Sequence, residues 1–181
     1  GEGDIQNGFI RGIPEKVAIV SFEAQAELIE GERKKDDADL LDVIAEGTPV
    51  RELLDQTCVN RLLQSQLIEA FNLQKLLEQG FRKLSSGETR KLMLIRALSC
   101  APDLLILDEP FEGLDMDSYS YLSNLLGVIA CHTRVVLVLN RFDEIPDFVT
   151  HIAYMDSGAM ANQIDRNDKE AVIDLGKLLH L

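Results

Sequence analysis

The chain has 181 residues and a mass of 20.2 kDa, and 46% of its residues are hydrophobic, enough for one domain with a substantial core and too apolar for a disordered segment. Its 18 Lys and Arg stand against 31 Asp and Glu, a net charge of −13, which argues against a protein that grips nucleic acid by neutralising phosphates. No apolar run nears the roughly 20 residues that span a bilayer, and no basic flank followed by an apolar stretch opens the chain, so any membrane role is expected to come through a partner.

Cys58, Cys100 and Cys131 are widely spaced, odd in number and in no metal-ligand pattern, which predicts a reduced, cytosolic compartment and buried thiols. In chain order, residues 16–20 form a short β-branched run suited to a buried strand. Residues 103–107 and 135–139 repeat that pattern without alternation, so three strands are expected in a parallel sheet covered on both faces. Residues 27–42 are densely charged with both signs and read as a solvated loop or helix face.

Residues 40–100 read as helical: Leu63, Leu67, Ala70 and Phe71 mark one face, and residues 90–98 make a nearly all-apolar helix. Between the second and third strands, Tyr121, Leu122, Leu125, Leu126 and Ile129 recur at helical spacing over residues 117–130, with Asp117 available as an N-cap, which completes a βαβ unit. Residues 152–156 and 159–164 flank Asp156-Ser157-Gly158 and predict a hairpin, and a last helix is expected over about 169–179.

Two segments carry chemistry. Leu104-Leu105-Ile106-Leu107-Asp108-Glu109-Pro110 places two carboxylates at the C-terminal end of a buried strand, where open α/β sheets bind ligands. The first can hold Mg2+, directly or through water, and the second can orient and polarise a water for attack on a γ-phosphate; the plain alternative is an acidic pair at a strand end. Leu84-Ser85-Ser86-Gly87-Glu88 puts a hydroxyl and several free N–H groups at the start of the apolar helix, which suits either an anion site or an ordinary N-cap. Asp108 follows Glu88 by 20 residues, and Gly113-Leu114-Asp115 follows closely.

In that order and spacing these segments resemble the signature, Walker B and D-loop motifs of ABC-type ATPases. Residues 20–23, 84–91, 102–115 and 138–146 further resemble the first ATPase domain of ModF-like proteins, which are associated with molybdenum uptake. The resemblance implies a P-loop NTPase (RecA-like) α/β fold, with a mostly parallel sheet and a helical subdomain over about 26–99 inserted in a core made of 1–25 and 100–181. It implies ATP and Mg2+ as cofactors, Asp108 on the metal, and Glu109 and Asn140 at the γ-phosphate. It assigns Ser85, Ser86, Gly87 and Glu88 to the nucleotide of a second ABC domain paired head to tail, and Asp115 to the D-loop. A membrane permease as further partner, no nucleic acid, and a cytoplasmic location at the inner face of the membrane go with it.

The chain departs from the family in three places. Gly-x-x-x-x-Gly-Lys-[Ser/Thr] is absent: Gly3 to Gly8 has the glycine spacing but runs on into Phe9-Ile10, and Gly176-Lys177 lacks the upstream glycine and the following hydroxyl. Since the phosphate loop precedes the first strand in the family, and the chain opens Gly1-Glu2-Gly3 without an initiator Met, a fragment inactive on its own is the expectation, a naturally loop-less pseudo-ATPase the rival. At the Q-loop, Phe22 and Glu23 stand in the expected place of Gln, with Gln25 two residues on, so Glu23 and Gln25 are its candidates. Asn140 replaces the switch His; an amide hydrogen-bonds a phosphate but carries no proton or charge for it. His151, ahead of the hairpin strand, reads as a strand-edge residue.

Overall fold

The computed structural model describes residues 12, 14–36 and 46–178. Three β-branched, leucine-rich runs become the parallel strands β1 (Val17–Val20), β2 (Leu104–Asp108) and β3 (Arg134–Val138), in the order β1-β2-β3. Val20 is level with Leu107 and Leu107 with Leu137, so the C-terminal ends of all three strands lie at one edge. Parallel strands need long crossovers. The first comprises α1 (Phe22–Asp36), α2 (Val50–Asp55), α3 (Arg61–Ala70) and α4 (Ser86–Ser99), and the second is α5 (Met116–Ile129). The expected βαβ unit is therefore present as β2-α5-β3.

Alternation decides what the sheet buries. Ala18, Val20, Leu105 and Leu107 point into a core shared with Leu53 and Leu54 of α2, Leu67 of α3, Leu92, Leu94 and Ile95 of α4, and Leu122 and Leu126 of α5. Each fully buried leucine contributes about 1.5–3 kcal/mol over its exposed state, so this cluster dominates the stability of the domain. On the opposite face Ile19 is 51% and Val138 is 48% exposed, with Val17 and Val136 also open. Among the described residues the sheet is thus covered on one face, not on both as its unbroken apolar runs imply.

Capping also shifts by two residues. The N-cap of α5 is Asp115, whose carboxylate accepts from the Ser118 N–H at 2.9 Å, rather than Asp117, which lies in the first turn. The hairpin forms as β4 (His151–Asp156) with β5 (Ala159–Asp165), turned by Ser157 and Gly158 at φ of 49° and 79°. It is a separate two-stranded sheet, followed by α6 (Lys169–Leu178); Leu179 lies outside the described residues.

The charged stretch is helical from its start to Asp36, and residues 37–42 lie outside the described residues, as do 40–45 of the helical region. Its surface is not wholly solvated. Ala24, Leu28 and Glu32 recur every four residues on one face of α1, Ala24 and Leu28 pack on the core, and Glu32 is only 2% exposed. Its carboxylate accepts the Thr48 N–H at 2.8 Å and lies in the field of Arg96 on α4. Nor are the thiols buried: Cys58 and Cys100 are half-buried and Cys131 is exposed. Among the described residues no helix is long and apolar enough to cross a membrane.

Candidate functional site

The last residue of β2, Asp108, is level with Val138 of β3, and the next residue, Glu109, donates its N–H to the Val138 carbonyl at 2.9 Å. Glu109 takes a φ of 48°, the left-handed region that a residue with a Cβ rarely occupies, and the chain turns there into Pro110. Its side chain is half-buried, and one carboxylate oxygen, Oε1, is shut away from solvent without a hydrogen-bond partner. Burial pushes its carboxyl above the usual range, the Asn140 N–H works against that, and Glu144, Asp108 and Glu112 add to the rise by repulsion. A carboxylate with an unpaired acceptor and a raised pKa is suited to accept a proton from water.

Asp108 is half-buried beside it. Among the described residues no group of three or more His, Cys, Asp or Glu side chains could hold a metal ion alone. That fits Mg2+ and not an all-protein metal cage, because Mg2+ is commonly held by one or two carboxylates together with substrate phosphates and water. The acid pair offers the one or two carboxylates that such an ion takes.

Facing the acid pair is α4. Ser85 caps it in a reciprocal box: the Glu88 N–H donates to Ser85 Oγ at 3.3 Å, and the Ser85 N–H donates to Glu88 Oε2 at 2.7 Å. Both carboxylate and hydroxyl are thereby engaged with each other, at 2.8 Å, while Ser86 stays exposed and Gly87 half-buried. A Cβ at Gly87 would meet the Gly113 carbonyl at 3.5 Å, so this end of α4 lies against the 108–115 turn. At the far end of that turn Asp115 receives the Lys91 ammonium at 2.7 Å, and with the Ser118 hydroxyl and N–H this holds its carboxyl far below the usual carboxylate range.

Arg90, one residue before Lys91, is 4% exposed and donates from Nη2 to the main-chain carbonyls of Asp108 and Glu109, the latter at 2.9 Å. Its guanidinium lies 5.1 Å from the centre of the Phe22 ring. The sequence marks Phe22 only as a residue in the place of the Q-loop Gln, and gives Arg90 no role. The one signal available was a charge set among apolar positions in residues 90–98.

Of the remaining candidates, Glu23 and Gln25 follow the C-terminal end of β1 and Asn140 that of β3. After Val20, Ser21 caps the Ala24 N–H at 3.1 Å and α1 begins at once, so Glu23 and Gln25 sit in its first turns rather than on a loop. Its own backbone N–H, and then the Ser21 hydroxyl, hold the Glu23 carboxyl below its usual range. Asn140 lies exposed two residues beyond β3. His151 opens β4, exposed, with Nδ1 2.9 Å from the Thr150 hydroxyl. Gly176 and Lys177 are helical residues of α6, with Lys177 on Asp174 at 2.9 Å, and Gly3 to Gly8 lie outside the described residues.

A family model described as ABC transporter matches residues 14–112, more than half of the chain and all of the segment from β1 through the acid pair. The chain belongs to the ABC transporter family. Among curated relatives, the ABC transporter ATP-binding protein ModF of Escherichia coli (strain K12) is 41% identical over 136 residues, 74% of this chain and 28% of that protein. An uncharacterized ABC transporter ATP-binding protein of Schizosaccharomyces pombe (strain 972) is 46% identical over 105 residues, 57% of this chain and 19% of that one. The zinc import ATP-binding protein ZnuC of Psychrobacter cryohalolentis is 38% identical over 94 residues, 48% of this chain and 39% of the relative. The matches thus span well under half the length of these relatives.

Solved structures agree on the fold of this ABC transporter family member. An ATP-binding subunit of an ABC transporter superposes with a TM-score of 0.63 over 88% of this chain and 82% of its own, at 17% identity. A bacterial Atm1-family ABC exporter with ATP bound does so with a TM-score of 0.63 over 90% of this chain and 26% of its own, at 16% identity. The α/β architecture with a parallel sheet and helices is that of ABC ATP-binding subunits.

Proposed function

We propose that this chain is an ATP-binding domain of an ABC-type ATPase, similar to ModF, that couples ATP binding and hydrolysis to molybdate transport. The observation that carries the reading is the pair Asp108-Glu109 at the end of β2, with Glu109 half-buried and one carboxylate oxygen unpaired beside it, in a chain of this family. In this reading the pair is the Walker B motif: Asp108 would hold Mg2+, directly or through water, and Glu109 would orient the attacking water and take its proton. Bound Mg2+ would neutralise charge on the transferred phosphoryl group. Asn140, past β3, hydrogen-bonds the γ-phosphate through its amide, and its own N–H steadies Glu109.

Ser85, Ser86, Gly87 and Glu88 form the signature segment and serve the nucleotide of a second ABC domain arranged head to tail, with Asp115 in the D-loop between the two. Glu23 and Gln25 are the groups available at the Q-loop position. The residues about 26–99 act as the helical subdomain, on which a membrane permease would bear, and the site works on the cytoplasmic side of the membrane without nucleic acid. The 181-residue chain, which contains no Gly-x-x-x-x-Gly-Lys-[Ser/Thr], does not turn over ATP by itself. Equilibrium dialysis of the natural full-length protein with ATP and Mg2+ tests the reading: binding supports it, and no binding at millimolar nucleotide ends it.

A second reading, a regulatory ABC module that binds nucleotide with little turnover, is favoured by Asn140 and by α1 starting at Phe22 where a loop would carry Gln. Steady phosphate release by the full-length protein, lost on Glu109→Gln, would reject it.

A further inference from the structure

We infer that Arg90 is a positioning residue for hydrolysis, one that fixes the conformation of Glu109 by holding the peptide groups on both sides of its Cα. The inference rests on the reading of Glu109 as the residue that orients water. The carbonyl of Asp108 belongs to the peptide unit entering Glu109, and the carbonyl of Glu109 to the unit leaving it. A single donor, Arg90 Nη2, bonds both. Fixing both planes fixes φ and ψ of Glu109, and with them the direction of its Cβ. Glu109 needs such a hold, because at φ of 48° it occupies a backbone region that a side chain resists.

The burial of Arg90 has no simpler rationale. Arg90 is 4% exposed, and its Nε and Nη1 are buried without hydrogen-bond partners, an arrangement that an apolar residue on this face of α4 would avoid. What compensates the charge is the Phe22 ring, the two carbonyls and the field of Asp108, Glu112 and Glu109. All of these lie at the acid pair and its approach. The next residue, Lys91, holds Asp115 at 2.7 Å. Adjacent residues of α4 therefore grip both ends of the 108–115 turn, and a displacement of α4 is passed to Glu109 through Arg90.

The test compares Arg90→Met, Arg90→Lys and Phe22→Leu in the natural full-length protein, reading hydrogen–deuterium exchange by mass spectrometry and ATPase kinetics together. In Arg90→Met, exchange of segment 109–114 is expected to speed up at least tenfold while segment 92–98 in the α4 core keeps its protection. The kcat for ATP falls at least tenfold with KM changed less than twofold. Arg90→Lys, which keeps a cation within reach of the carbonyls, recovers part of both losses, and Phe22→Leu shows a smaller change in the same direction. If Arg90→Met does not fold, the same contrast is read from Arg90→Lys and Phe22→Leu alone. Unchanged exchange at 109–114, loosening shared equally with 92–98, or an unchanged kcat would overturn the inference. A wild-type protein that releases no phosphate would defeat the proposed function instead, and the exchange contrast would still decide whether Arg90 holds Glu109.

Discussion

Lys91 Nζ stands 2.7 Å from the Asp115 carboxylate, and this ion pair ties the second turn of α4 to the N-cap of α5. Asp115 thus has two tasks, pairing with Lys91 and capping through Ser118, and two substitutions separate them. Asp115→Asn keeps the cap and loses the charge, so it should cost less than about 1 kcal/mol, because half-exposed ion pairs contribute little. Asp115→Ala loses both and should cost about 1–2 kcal/mol. The folded carboxyl titrates below its ordinary value of 3.8, so its stabilisation is present above that value and is lost as pH falls through the folded one. Urea unfolding should show the gap between wild type and Asp115→Asn closing as pH drops below 3.8.

Glu109 has the opposite sign. Its folded carboxyl titrates above the ordinary 4.5, so ionising it in place works against folding: stability is greater below 4.5 and declines as pH rises through the folded value. Glu109→Gln should therefore raise the melting temperature at neutral pH and give no gain below about pH 4. The same substitution should reduce ATP hydrolysis by the full-length protein about 10²–10⁴-fold while leaving nucleotide binding intact. In the wild type the acid limb of the kcat/KM profile, which reports the free enzyme, should lie above 4.5.

Gly87 is helical, and a Cβ there meets only the Gly113 carbonyl at the ordinary contact distance of 3.5 Å. Folding alone does not require glycine at this position. Gly87→Ala is therefore expected to hold or raise the stability of the chain, by up to about 1 kcal/mol. If the backbone here approaches a partner's nucleotide, the same methyl should reduce ATPase activity of the full-length protein more than tenfold. Thermal unfolding and phosphate release measured on one preparation check both halves.

Glu32 is the buried acid of a helix whose other face is exposed, and it satisfies the Thr48 N–H beside Arg96. Removing it leaves that N–H short of its partner and Arg96 short of a compensating charge. Glu32→Ala should cost about 1–3 kcal/mol in chemical unfolding, more than Ala at the exposed neighbours Arg33 or Lys34.

Much of this architecture is written locally. The three strands, the helix between Asp108 and Arg134 and the Asp156-Ser157-Gly158 hairpin each follow from a run of residues whose spacing or turn chemistry is self-contained. What the residues do not disclose depends on neighbours distant in the chain. An unbroken run such as 135–139 reads the same whether one face of the sheet is covered or both. Asp115, which caps in place of Asp117, also pairs with Lys91 far back in the chain, and the buried Glu32 meets Thr48 and Arg96. The acid pair was visible as a motif, whereas the left-handed backbone of Glu109 and the guanidinium beneath it were not, since nothing within four residues of Glu109 specifies Arg90.

The most direct measurement is phosphate release from Mg2+-ATP by the natural full-length protein and by its Glu109→Gln variant, with nucleotide binding measured on both. An ABC ATPase with Glu109 at the attacking water predicts steady release by the wild type, loss of release in the variant, and binding in each. Release that persists in Glu109→Gln, or a wild-type protein that binds no Mg2+-ATP, would contradict it.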